Sequence, residues 1–131
     1  MLEFKQQRNA EFYRTCKKLI NRSGGTETLR QITGRAVREP ATSFFISENR
    51  IARIIRSGGE ACPRSEAKAA LFHAIKHLYF ELKTVHPEMS PEAIAGNIIF
   101  YRQAPRFYIS EATALNIYYS ELDRRKKQIG K

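Results

Sequence analysis

Three observations predict an all-α fold. A five-residue block, Phe44-Phe45-Ile46-Ser47-Glu48, returns as Phe107-Tyr108-Ile109-Ser110-Glu111. Apolar residues recur at helical spacing through most of the chain, and helix-starting Ser, Thr and Pro alternate with helix-stopping Gly and Pro. Together they predict a single compact domain of about six helices, built from two tandem helix-helix-(short extended)-helix repeats in a pseudo-twofold relation. Repeat 1 spans about 3–59, repeat 2 about 65–123, and a basic C-terminal tail 124–131. At 131 residues and 42% hydrophobic residues the chain is long enough for one core that both repeats share.

The first helix is read from Glu3 to Asn21, with Phe12, Tyr13, Cys16, Leu19 and Ile20 on one face and Ser23-Gly24-Gly25 as its stop. Thr26 is the expected cap of the second, which carries Leu29, Ile32, Ala36 and Val37 and ends at Pro40. Phe44-Phe45-Ile46 reads as a short extended piece before a third helix capped by Ser47, with Ile51, Ile54 and Ile55 inward and Ser57-Gly58-Gly59 as its end. Residues Glu60 to Arg64 are the linker. Ser65 opens a long helix to Val85 whose apolar residues cover more than one face, which predicts a central, largely buried position. Ser90-Pro91-Glu92 starts the fifth helix, with Ile94, Ile98 and Ile99. Phe107-Tyr108-Ile109 is the second extended piece, and Ser110 caps a last helix carrying Leu115, Tyr118 and Leu122.

The two copies align with loop changes. The block is displaced by 63 positions, the stretch Glu27–Pro40 lies over Glu92–Pro105 at 65, and Tyr13, Cys16 and Leu19 lie over Phe72, Ile75 and Leu78 at 59.

Charge carries the functional expectation. The chain holds 23 Lys and Arg against 13 Asp and Glu, a net charge of +10, which favours a densely anionic partner. Residues 1–65 hold 13 basic against 6 acidic residues, residues 66–123 hold 5 against 7, and the last eight residues add five positive charges. In the first copy Arg50, Arg53 and Arg56 recur every third residue, opposite the isoleucines, drifting about 60° around the axis per step. Such a helix suits a DNA major groove, with arginines on guanine edges or phosphates. Arg35, Arg38, Lys17, Lys18 and the tail cations Arg124, Arg125, Lys126 and Lys127 are candidate phosphate contacts.

The second copy carries Thr113, Asn116 and Tyr119 at the aligned positions. Either that copy is scaffold, or Asn116 reads an adenine edge; its net negative charge favours scaffold. The nine residues between the second and third helices exceed the three or four of a helix-turn-helix, so that motif is not assigned. A ribbon of the two extended pieces would place Ser43, Phe45, Arg106 and Tyr108 on one outer face, although Phe44 and Phe107 are expected in the core.

Catalytic chemistry finds little support. His73 and His77 have the i, i+4 spacing of metal ligands, but Ala74 stands where a zinc protease has Glu, and spacing indicates no third ligand. Ser23-Gly24-Gly25 and Ser57-Gly58-Gly59 lack the lysine of a phosphate loop. Asp123 is the sole aspartate, which leaves a two-metal centre to scattered glutamates. Tyr101, Tyr108, Tyr118 and Tyr119 are expected to pack rather than act as nucleophiles, and Cys16 and Cys62 to be free thiols.

The expectation is therefore a non-enzymatic nucleic-acid-binding protein with no cofactor and no metal. It is cytoplasmic, lacks a membrane segment or signal peptide, and its partner is duplex DNA; a homodimer is compatible with the sequence. The alternative is a protein-protein module that meets an acidic protein surface and assembles through Tyr108, Tyr118 and Tyr119.

Overall fold

The computed structural model describes residues 2–57 and 65–129, and these form six helices and no strand. They are α1 (Leu2–Ser23), α2 (Leu29–Ala36), α3 (Glu48–Arg56), α4 (Glu66–Val85), α5 (Pro91–Tyr101) and α6 (Glu111–Ile129). The expected Gly58-Gly59 stop, the linker 60–64 and Cys62 lie outside the described residues.

Local chemistry explains most of the boundaries. Ser47, Ser65, Ser90 and Ser110 each accept a hydrogen bond from the backbone N–H three residues on, at Arg50, Lys68, Ala93 and Thr113. Pro91 occupies the first helical position of α5, where its missing N–H costs nothing. One cap departs from expectation. Thr26 donates its hydroxyl to Ser23 O at 2.8 Å and so closes α1, while Thr28 caps α2. Thr28 prevails because Gln31 stands at the third helical position and completes a capping box, its Oε1 accepting from Thr28 N at 2.9 Å. Gly24 and Gly25 supply the left-handed turn between the helices, at φ 63° and 84°.

α2 ends at Ala36, short of Pro40, in a tightened turn through Arg38 and Glu39. The Val37 carbonyl beyond it accepts from Phe107 N at 2.9 Å. The expected extended pieces do not form a ribbon. Phe45 adopts φ 56°, which breaks an extended run, and the pairing lies upstream as a single antiparallel bridge between Ala41 and Ala104.

The helices associate in two groups. α1, α2 and α6 pack on one another, and α3 packs with α4 and α5. The third helix of each half thus lies against the first two helices of the other half. One continuous core joins both groups. At its centre the Phe12 and Phe107 rings meet edge to face at 5.4 Å, Phe44 stacks on Tyr108 at 5.8 Å, and Tyr13 stacks on Tyr118 at 5.2 Å.

Two further expectations are corrected. α4 is not largely buried: Ala67, Leu71, Ile75 and Leu82 face inward, whereas Phe80 and Val85 are 68% and 70% exposed, because only α3 and α5 cover it. The tail is not separate either, since α6 continues through Arg124–Lys127 to Ile129. No described helix is long and apolar enough to cross a membrane.

Cys16 is a fully buried free thiol, and burial pushes its pKa up to about 12. It should therefore resist iodoacetamide in the native protein and react after denaturation, as read by peptide mapping. Phe107→Ala removes a ring that is 1% exposed and half of the central aromatic pair. A loss of about 3–5 kcal/mol in urea unfolding is expected.

Candidate nucleic-acid interface

α3 has nine residues and one strongly apolar side. Ile51, Ala52 and Ile54 are buried against α5 and α4. At about 100° per residue, Asn49, Arg50, Arg53 and Arg56 fill an opposite arc of about 120°, and all four are exposed. Arg56, at one border, is ion-paired with Glu92 of α5. Arg50, at the other border, lines a cleft. Between them Asn49 and Arg53 face outward, and among the described residues no carboxylate pairs with Arg50 or Arg53. Asn49 belongs to this exposed face and was passed over in the sequence, although its place on the wheel between Arg53 and Arg56 was available.

The cleft, of about 240 Å³, is walled by Lys5 and Arg8 of α1, by residues 43–46 with Arg50, by Lys68 and Leu71 of α4, and by Arg106, Phe107 and Tyr108. A smaller cavity of about 140 Å³ shares Lys5, Arg8, Phe45, Ile46 and Arg50 with it and adds Phe4 and Ser47. Among the described residues no acidic side chain lines either one. Arg8 is half-buried, its guanidinium bonds only to the neutral Asn9 Oδ1 at 2.9 and 3.1 Å, and burial lowers its pKa. Arg106 is anchored from outside the cleft by Glu66, at 2.8 and 3.3 Å, and its guanidinium carbon lies 5.6 Å from the Tyr108 ring centre. Ser43, Phe45, Arg106 and Tyr108, expected to share an outer face of a ribbon, instead share this cleft.

The other candidates separate by location and pairing. Arg35 is paired with Glu27, whose hydrogen bond and charge raise the guanidinium pKa, and Arg38 meets Glu111 at 3.2 Å. Lys17 and Lys18 are exposed on the second half of α1, about 15 Å along the axis from Lys5 and Arg8. At the end of α6, Arg124 is bonded to the buried Glu121 at 3.0 Å and Arg125 covers the Tyr13 ring at 4.4 Å, while Lys126 and Lys127 are exposed. Arg124 shares a pocket with Gln6 and Asn9, so the last turns of α6 lie beside the first turns of α1, which border the cleft.

The residues aligned with the arginines lie on the other helix group. Thr113 is bonded within the cap by Ser110 at 2.8 Å, while Asn116 and Tyr119 are exposed on α6. The aromatic surface expected of Tyr108, Tyr118 and Tyr119 is not one surface: Tyr118 is buried and Tyr108 faces the cleft. Tyr101, expected to pack, is 79% exposed, as is Phe100 at 76%, at the end of α5. His77 pairs with Glu81 at 2.9 Å. Among the described residues no three His, Cys, Asp or Glu side chains converge as a metal site would require.

No family model, curated protein or solved structure matches this chain.

The Arg106 hydrogen bonds and then its charge hold the Glu66 carboxyl below the usual carboxylate range. The folded pKa is the lower one, so this contribution to stability is present above the unfolded value and disappears as pH falls through the folded value. A carboxyl-carbon NMR titration should show Glu66 titrating lower in the wild type than in Arg106→Ala; equal midpoints would remove the pair as the cause.

Proposed function

We propose that this protein is a non-enzymatic, nucleic-acid-binding protein that lays the outer face of α3 in the major groove of duplex DNA. The observation that carries the reading is that face itself, with Asn49, Arg50 and Arg53 exposed together and, among the described residues, no carboxylate paired with either arginine. Nine residues make a helix about 14 Å long, which suits a groove about 12 Å wide. Arginine matches guanine O6 and N7, and asparagine matches adenine N6 and N7. Lys126 and Lys127 extend the positive potential on the flank and would bind phosphate. Arg35, Arg38, Arg56 and Arg124 fall out of the binding set, because an acid already neutralises each.

The same reading keeps the two tandem repeats and their pseudo-twofold relation. Ala41 and Ala104, which bridge to each other, stand 63 positions apart, as do Ser47 and Ser110, and Glu48 and Glu111. The Glu48 carboxylate lies over Gly96 and that of Glu111 over Gly34, reciprocal contacts in opposite helix groups. On these contacts α2 and α5 align at 62, Thr28 with Ser90 and Gly34 with Gly96, rather than at 65. Arg50, Arg53 and Arg56 still fall on Thr113, Asn116 and Tyr119, so the third helix of one unit is the reader and that of the other is scaffold.

A second reading, a module for a protein partner, is favoured by the exposed Phe80, Phe100 and Tyr101 on α4 and α5.

Duplex binding followed by fluorescence anisotropy across a salt series separates the two. Log affinity should fall steeply with log salt, and Arg53→Ala should weaken binding at least about tenfold. Arg56→Ala should cost much less, its charge being already neutralised. Equal losses at both positions would place the interface elsewhere, and no binding at low salt would end the DNA reading.

A further inference from the structure

We propose that the cleft between α1, α3 and α4 is a phosphate-binding site that takes a mononucleotide unit, its phosphate among the cations and its planar ring against Phe45. This site is independent of the groove reading for α3, with which it shares Arg50.

Electrostatics gives the first argument. Lys5, Arg8, Arg50, Lys68 and Arg106 line one space of about 240 Å³ with no acid among its lining residues. Among the described residues four of the five, Lys5, Arg8, Arg50 and Lys68, have no paired carboxylate, and their mutual repulsion costs free energy that an anion in their midst reverses. Carboxylates elsewhere on the chain are set beside Arg35, Arg38, Arg56 and Arg124. Here, among the described residues, Arg106 alone has one, and Glu66 approaches it from outside the cleft. Arg8 is the sharpest case, a half-buried guanidinium whose bonds go to a neutral amide oxygen.

Backbone geometry gives the second. Phe45 is the one non-glycine residue at positive φ among the described residues, at 56°, and it lines both cavities. A bulky side chain in this region is strained, and such strain gathers at ligand sites. The corresponding residue of the other half, Tyr108, is not at positive φ. The two copies thus differ where they meet the cleft, and the strained turn places a phenyl ring beside the cations.

Size sets the ligand class. A cleft of about 240 Å³ falls below the roughly 300 Å³ at which sites for larger organic ligands begin, and it cannot admit a duplex. A single nucleotide seated by its phosphate, with no second unit attached inside the cleft, is the fitting load. The phosphate can come from a free mononucleotide or from the phosphorylated end of a strand, and the cations recognise the same group in both.

The test is calorimetric titration of the full chain with pyrophosphate, adenosine monophosphate and adenosine at low ionic strength, in the wild type and in Lys5→Ala/Lys68→Ala. Both lysines are exposed, and the unfolding midpoint of the variant serves as its folding control. Binding of the two phosphates and not of adenosine is expected, weakened about tenfold or more in the variant. Phe45→Gly should keep pyrophosphate and lose the advantage of the nucleotide over it. Preference for a 5′-phosphorylated oligonucleotide over its 5′-hydroxyl form assigns the site to strand ends. Adenosine monophosphate binding without that preference assigns it to a free nucleotide, and either result supports the site. Absence of phosphate binding, or binding that the double variant leaves unchanged, overturns it. Arg53→Ala, which should lose duplex DNA and keep adenosine monophosphate, distinguishes failure here from failure of the groove reading.

Discussion

Two reciprocal backbone hydrogen bonds, Ala41 N to Ala104 O and Ala104 N to Ala41 O, both at 3.0 Å, hold the crossing on which the rest of the fold depends. Both alanines are 1% exposed, so unpaired amides there would be left without water as well as without a partner. Around this point the chain exchanges its third helices, α3 going to α4 and α5 and α6 to α1 and α2. Neither half then buries the apolar face of its own third helix. Phe107, whose amide bonds to Val37 O just after the crossing, meets Phe12 of the other half at the centre of the core. The walls of the cleft come from α1, from residues 43–50, from α4 and from residues 106–108, segments that only this exchange brings together.

The distribution of carboxylates sorts the cations. Exposed ion pairs contribute little to stability, about 0–1 kcal/mol each. Their effect on the field is larger, because each removes one arginine from the set that an anionic partner would meet. Glu27, Glu92 and Glu111 quiet Arg35, Arg56 and Arg38, and Glu121 quiets Arg124. Among the described residues, the middle of α3, the cleft beside it and the lysines at the end of α6 keep cations without a paired acid, as do Arg14, Lys17, Lys18, Arg22 and Arg30 elsewhere in the first half.

The helices and their starts were legible because capping is local chemistry: a serine hydroxyl needs only the amide three residues on. Thr28 was legible too, since Gln31 completes its capping box, and the nearer Thr26 was a misreading of a signal already present. Burial of α4 was not legible, because periodicity marks apolar faces without saying which of them a neighbour covers. The left-handed turn at Phe45 has no sequence signature, phenylalanine being among the residues least suited to it. Three of the four residues of the α3 face could be read from the arginine spacing, whereas Glu92, which neutralises Arg56, comes from 36 positions away. The cleft was least legible of all. Lys5 and Arg106 are 101 positions apart, and only the shared face expected of Ser43, Phe45, Arg106 and Tyr108 brought part of its lining together.

The outer face of α3 is the surface proposed to meet nucleic acid, and titration of the isotopically labelled protein with a short duplex, followed through backbone amide shifts, is the decisive measurement. The largest shifts are expected at Asn49, Arg50 and Arg53, with smaller ones at Lys126 and Lys127 and little change at Lys17 or Arg35. Shifts confined to Phe80, Phe100 and Tyr101, or an unchanged spectrum at saturating duplex, would contradict it.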